Sequence, residues 1–224
     1  MKKKAVIFDF NGTLFFDSDK HIEAWNICSE RLIGRKMTDE EVTKMLGRTN
    51  KLILELILKK EPADDLVEEI GSEKERIYRE LCLRDRGECK LAPGAVELLD
   101  KLTERNIKVA IATSSDIDNV KFYFDYFGIS KWFNMDNVIY NDGTVAGKPK
   151  PDIYLKAIER LGVSADEAVV FEDAVSGIKS ARAAKAGKTV GVLSIDNRKE
   201  LEEAGADKII NKFYDILSID ELLS

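Results

Sequence analysis

The chain has 224 residues, a formal charge of −6, and 44% hydrophobic against 34% charged residues. That length admits one domain carrying an insertion, or two small domains, and the balance is that of a soluble globular protein. The acidic excess argues against a nucleic-acid backbone as partner, and no apolar run approaches the roughly 20 residues of a membrane span. Cys28, Cys82 and Cys89 cannot all pair and form no Cys-x-x-Cys, so reduced core thiols are expected. No secretory leader is expected either, because Lys2 to Lys4 lead directly into an apolar strand. A cytoplasmic monomer follows as the expectation.

The strand is Ala5-Val6-Ile7-Phe8, and Asp9 stands where it should stop, with Gly12 close behind to let the backbone turn. From Ser18 to about Glu88 the pattern is helical. His21, Ala24, Trp25, Cys28, Leu32 and Ile33 recur at three-to-four spacing, and Thr38-Asp39-Glu40-Glu41 reads as a capping box ahead of Val42, Met45 and Leu46. Leu52 to Leu58 reads as a buried core helix, and Pro62 suits the first turn of another. Ser72-Glu73-Lys74-Glu75 reads as a second capping box. Four or five short helices can bury their stripes against one another as a bundle.

After Pro93-Gly94 helix and strand alternate. Helices are predicted over Ala95 to Arg105, Asp116 to Phe127, Pro151 to Leu161 and Ala174 to Lys185. Strands are predicted at Val109 to Ala112, Val138 to Tyr140, Ala168 to Phe171, Thr189 to Val192 and, at an edge, Ile209-Ile210. Ser164 to Glu167 forms a third capping box. Alternating units imply a doubly wound, Rossmann-like α/β core with a parallel sheet, interrupted after its first strand by an α-helical bundle cap. The expected division is residues 1–16 and 89–224 for the core and 17–88 for the insertion.

Asp9/Asn11, Thr113/Ser114, Lys148-Pro149 and Glu172-Asp173 each follow a strand or precede a helix. Parallel strands align their carboxyl ends, so these clusters are expected to converge on one crevice with Asp9 as candidate nucleophile. The segment Asp9-Phe10-Asn11-Gly12-Thr13-Leu14 resembles the first motif of the haloacid dehalogenase superfamily of phosphatases and phosphomutases, Asp-x-Asp-Gly-Thr/Val-Leu. The three other clusters match that family's hydroxyl, lysine and acidic-pair motifs in order. His21-Ile22-Glu23-Ala24-Trp25 resembles the His-x-x-Ala-Trp segment of the subgroup close to β-phosphoglucomutase, whose histidine helps position the acid/base residue.

The resemblance implies a Mg²⁺-dependent phosphatase of a small phosphate ester, with a sugar phosphate expected. Asp9 would attack phosphorus and hold an aspartyl-phosphate, splitting one displacement into two. Asp9, Asp173 and the backbone carbonyl of Asn11 would hold the Mg²⁺, with Glu172 as a direct or outer ligand. Thr113 and Ser114 would donate hydrogen bonds to the phosphoryl oxygens and Lys148 would balance their charge. The cap would close over the crevice, with Arg48, Asn50 and Lys51 beside Gly47 as its substrate contacts.

Asn11 departs from the motif, where the family has its general acid/base aspartate. An amide can donate a hydrogen bond but exchanges no proton, a loss typically worth about 10²–10⁴-fold. Phe16 also stands where an acid is usual in the subgroup, with Asp17 one residue later. A slow phosphatase, proton transfer from His21 or Asp17, and an engineered substitution that traps a complex all remain open. The alternatives to a phosphatase are a β-phosphoglucomutase, whose cap arginine is replaced by Asn50, and a phospho-ligand binding protein impaired in turnover.

Overall fold

The computed structural model describes residues 2–45 and 48–224. Leu46 and Gly47, an expected core position and the centre of the expected substrate loop, lie outside the described residues. The chain divides into two units, Asp17–Cys89 and the pair of segments Met1–Phe16 and Lys90–Ser224.

The Asp17–Cys89 unit consists of helices α1 (Ser18–Ile33), α2 (Asp39–Met45), α3 (Asn50–Leu58) and α4 (Asp64–Arg84). α1 packs on α4. Ala24, Trp25 and Cys28 are buried on α1, and Ile70, Ile77, Tyr78 and Leu81 on α4. The Thr38 capping box forms as predicted: the Glu41 amide donates to Thr38 Oγ1 at 3.2 Å and the Thr38 amide to Glu41 Oε2 at 2.8 Å. The capping box predicted at Ser72 does not start a helix, because α4 runs unbroken for 21 residues across it. Its apolar stripe continues at helical spacing on both sides of Ser72, and packing of that stripe overrides the local start signal. Pro62 precedes this helix rather than entering it. Leu52 to Leu58 is core only in part: Ile53, Leu54 and Ile57 are buried, while Leu52 is 43% exposed.

The other unit is built on six parallel strands: β1 (Ala5–Phe8), β2 (Lys108–Ala112), β3 (Val138–Ile139), β4 (Ala168–Glu172), β5 (Lys188–Val192) and β6 (Lys208–Ile210). Their order is β3-β2-β1-β4-β5-β6. β1 lies between β2 and β4 in register, Phe8 opposite both Ile111 and Phe171. Helices α5 (Ala95–Glu104), α6 (Ile117–Phe127), α7 (Asp152–Leu161), α8 (Val175–Ala183), α9 (Arg198–Ala204) and α10 (Ile219–Leu222) complete it.

Both faces of the sheet are buried, which is why its central strands read as continuous apolar runs. On one face Ile7, Ala110 and Val170 meet Tyr154, Ile158 and Ala181. On the other Phe8 stacks on Phe171 at 5.1 Å, and Phe213 packs on both rings. This is the doubly wound parallel α/β architecture, and its strand order reverses between β1 and β4, where such sheets open a crevice at their carboxyl ends. No helix among the described residues is long and apolar enough to cross a membrane.

Candidate active site

Asp9 is the first residue beyond β1, and its amide donates to the Phe171 carbonyl of β4 at 3.0 Å. The backbone then turns back on itself: Gly12 adopts φ +75°, and its amide donates to the Phe15 carbonyl at 2.7 Å. A Cβ on Gly12 would fall 2.0 Å from Asp173 Oδ2, so glycine serves both the left-handed backbone and the approach of the acid. Gly177 on α8 does the same for Glu172, whose Cδ would lie 1.9 Å from an added Cβ. Two glycines therefore clear space for two carboxylates.

Four of the sequence-predicted residues meet here. Asp9, Glu172 and Asp173 offer ligand oxygens within 4.8 Å of one another. Lys148 Nζ donates to Asp9 Oδ1 at 2.6 Å and to Glu172 Oε2 at 2.7 Å, and its side chain is only 7% exposed. The Lys148–Pro149 peptide is cis. Burial alone would discharge this ammonium, but the charges of Asp9 and Glu172 outweigh it and hold the group well above its ordinary pKa. Asp173 is pushed well above the usual carboxylate range, first by loss of solvent and then by the charges of Glu172 and Asp9.

Thr113 follows β2, and its amide donates to the Ile139 carbonyl at 2.9 Å. Its Oγ1 accepts from the Ser115 amide at 3.1 Å, while Ser114 beside it is exposed. Asn11 is held by residues that sequence reasoning passed over. Its Nδ2 donates to the Tyr123 hydroxyl at 2.9 Å, and its Oδ1 accepts from Ser115 Oγ at 2.8 Å and from the Tyr123 hydroxyl at 3.0 Å. Tyr123 is itself pinned, stacked on Phe10 with ring centroids 4.0 Å apart. The partners at position 11 are two hydroxyls, which satisfy both ends of the amide and could equally donate to a carboxylate.

Tyr154 was also missed. Its hydroxyl donates to Glu172 Oε2 at 2.5 Å, and Lys148 Nζ lies 5.2 Å from the centre of its ring. Burial, then the charge of Glu172, holds the phenol well above its ordinary pKa, so it stays a donor. These pairings join residues far apart in sequence, and no local pattern announces them.

The remaining predicted residues belong to the helical unit. His21 stacks on Tyr78 with 4.2 Å between centroids, its Nδ1 lies 2.8 Å from Lys74 Nζ and its Nε2 3.3 Å from Asp17 Oδ2. Asp17 is 1% exposed and accepts from the Tyr78 hydroxyl at 2.5 Å. Asn50 lies against Gly71 of α4, where an added Cβ would come within 2.9 Å of its Nδ2. Lys51 pairs with Asp64 and Glu61 at 3.2 and 3.4 Å, and Arg48 is exposed.

A doubly wound sheet with an anion-rich, lysine-bridged cluster at its switch point has the layout of an α/β active site. The family model for haloacid dehalogenase-like hydrolases matches residues 3–185, and the chain belongs to that family. A phosphorylated carbohydrates phosphatase from Thermotoga maritima is 30% identical over 225 residues, covering 96% of this chain and 100% of the relative. A β-phosphoglucomutase from Mycobacterium bovis is 26% identical over 96% of this chain and 92% of its own, in keeping with the β-phosphoglucomutase-like subgroup. The crystal structure of a HAD hydrolase, family IA, variant 3, from Entamoeba histolytica superposes with a TM-score of 0.93 at 41% identity, over 98% of this chain and 97% of that one.

Proposed function

We propose that this protein is a Mg²⁺-dependent phosphatase that hydrolyses a small phosphate ester, a sugar phosphate, through an aspartyl-phosphate on Asp9. The observation that carries the reading is the juxtaposition of Asp9, Glu172 and Asp173 around one lysine at the switch point of the sheet. A phosphatase among the relatives supports the substrate class.

The donor set fits a hard divalent cation. Three acidic groups face one ammonium, and Asp173 is held above the usual carboxylate range first by burial and then by the charges of Glu172 and Asp9. Asp9, Asp173 and the backbone carbonyl of Asn11 would hold Mg²⁺, with Glu172 as direct or outer ligand. When bound, the cation lowers the repulsion between a phosphoryl group and the carboxylate that attacks it.

Asp9 supplies the attacking oxygen. Phosphorus leaves its ester oxygen for Asp9, and water then takes it from Asp9 as inorganic phosphate. Lys148 orients Asp9 through Oδ1 and balances phosphoryl charge, while Tyr154 and the Ala174 amide fix Glu172. Thr113 and Ser114 donate to phosphoryl oxygens. Asn11 offers a hydrogen-bond donor where an acid would supply a proton, so substrates with good leaving groups are favoured.

Asn11 itself, an amide that exchanges no proton, favours a second reading, a phospho-ligand binding protein with impaired turnover. One experiment separates the two: phosphate release from sugar phosphates, nucleotides, pyrophosphate and an activated aryl phosphate, in Mg²⁺ or EDTA, with Asn11→Asp alongside. Turnover of a natural ester by the parent supports the phosphatase. A silent parent beside an active Asn11→Asp variant supports the binding protein.

A further inference from the structure

Asp173 is gripped from two sides, one inside the first sequence motif and one outside all of them. Its Oδ1 accepts from Thr13 Oγ1 at 3.2 Å, within the nucleophile loop. Its Oδ2 accepts from Ser194 Oγ at 3.1 Å, and its backbone carbonyl accepts from Asn197 Nδ2 at 3.0 Å. Ser194 and Asn197 belong to the turn between β5 and α9, beyond the segment matched by the family model.

That turn is stiff. The Leu193 amide donates to Ile210 of β6 at 2.9 Å, the Ser194 amide to the Val192 carbonyl at 3.2 Å and the Asn197 amide to the Ile195 carbonyl at 3.0 Å. Asn197 occupies the N-cap position of α9, where asparagine ordinarily accepts from an amide of the first turn, yet its side chain makes no such bond. Instead it is turned to Asp173, and its Oδ1 is buried with no hydrogen-bond partner. A helix that forgoes its cap while leaving an acceptor buried and unpaired gives up stability on each count. Such a sacrifice points to a task at the site rather than to stability.

We propose that Ser194 and Asn197 form a clasp that sets the Asp173 carboxylate for the divalent cation, with Asn197 Oδ1 as the acceptor for a water that enters with it. The clasp rests on the Mg²⁺-dependent reading given above. Ser194 fixes which oxygen of Asp173 is engaged, Asn197 fixes the backbone behind it, and Gly12 leaves the room for the carboxylate itself. Outer groups that orient a ligand typically change metal affinity 10–100-fold. Both are positioning residues: they act through Asp173.

Mg²⁺ titration calorimetry on the full chain, free of phosphate, tests this without any turnover. Ser194→Ala and Asn197→Ala should each weaken Mg²⁺ binding about tenfold, and Ser194→Thr, which keeps the hydroxyl, should stay within about twofold of the parent. Thermal melts in EDTA control for folding. A purely structural role would lower both alanine variants' melting temperatures in EDTA while leaving Mg²⁺ affinity in place, and that result overturns the clasp. Parent-like Mg²⁺ binding in both alanine variants overturns it as well. A parent that binds no Mg²⁺ overturns the metal-dependent reading itself, and the clasp with it, so the two failures are told apart by the parent alone.

Discussion

The two units handle buried charge in opposite ways. In the helical unit charges are paired off: Lys20 with Asp85 at 2.7 Å, Arg35 with both oxygens of Glu41 at 2.7 and 2.8 Å, and Lys74 with Glu75 at 2.8 Å. At the end of the parallel sheet three carboxylates crowd a single lysine, and one of them resists ionisation. Each matched pair leaves little net charge of its own within that unit. An unmatched cluster costs stability, and its place at a strand-end crevice supports the cation and phosphate site proposed above.

The sharpest break in the comparison comes from the nucleophile. Asp9→Asn should abolish phosphate release, by about 10⁴-fold or more, because an amide forms no acyl phosphate. Steady-state assay with an activated aryl phosphate reads this directly, and substantial residual turnover would remove Asp9 from the role. Asn11→Asp acts in the opposite sense. It returns a group that can exchange a proton, and should raise turnover of poor-leaving-group esters by about 10²–10⁴-fold. Activated aryl esters should gain less, since their leaving groups need no proton. Equal gains on both would show that position 11 does not touch the leaving group's proton.

Lys148→Ala tests the lysine that bridges the cluster. Turnover should drop about 10²–10³-fold, and the protein in EDTA should lose about 3–5 kcal/mol of stability, because Asp9 and Glu172 are left buried without their counter-charge. Added Mg²⁺ should recover part of that loss, as a ligand that binds only the folded state must. Urea unfolding with and without Mg²⁺ measures both. A loss that Mg²⁺ leaves untouched would show that the cation and the lysine do not compensate the same charges.

The pH dependence of the metal-free protein has a defined sign. Asp173 has a folded-state pKa above its unfolded value of about 3.8, so the folded chain keeps a proton that the unfolded chain gives up. Its contribution is therefore most favourable below that pH and declines as pH rises toward the elevated folded pKa. In EDTA, denaturant midpoints should fall as pH rises from about 4 toward neutrality, and Mg²⁺ should flatten the decline. Asp173→Asn should flatten it too, and a parent whose midpoints rise across that range would contradict the assignment.

Much of this was legible in the chain. The alternation of apolar strands with helical stripes specified a doubly wound sheet, because a parallel strand buried on both faces has nothing but apolar side chains to show, as in Ala5–Phe8 and Ala168–Phe171. Asp9 and Glu172-Asp173 announced themselves as polar residues at the ends of such runs, while Lys148, in the loop before α7, was picked out only by its resemblance to the family's lysine motif. Tyr154, Tyr123, Ser115, Ser194 and Asn197 did not. Each reads as ordinary helix stripe or turn residue, and acquires its partner only through a contact between segments 18 to 112 positions apart. The error at Ser72 has the same root. A capping box is a local signal, and the stripe that carries α4 through it is satisfied only in the packed bundle.

The smallest effect belongs to the helical unit and provides the control for the core. Glu41 is held at about 2, first by the Arg35 guanidinium and then by the Thr38 amide, against an unfolded value near 4.5. A lowered folded pKa contributes stability that is present above 4.5 and lost as pH falls toward 2, the reverse of Asp173. Glu41→Gln can keep the acceptor for Thr38 but removes the charge facing Arg35 and one of that guanidinium's two hydrogen bonds, so it should cost about 0.5–1 kcal/mol at neutral pH, the scale of a partly exposed pair. The difference from the parent should vanish near pH 2, where Glu41 is itself half protonated and below which it is neutral. Mg²⁺ should not change it at any pH. A Mg²⁺-dependent cost at Glu41 would mean that the cation's influence extends beyond the crevice cluster, and that the two ways of handling charge are coupled.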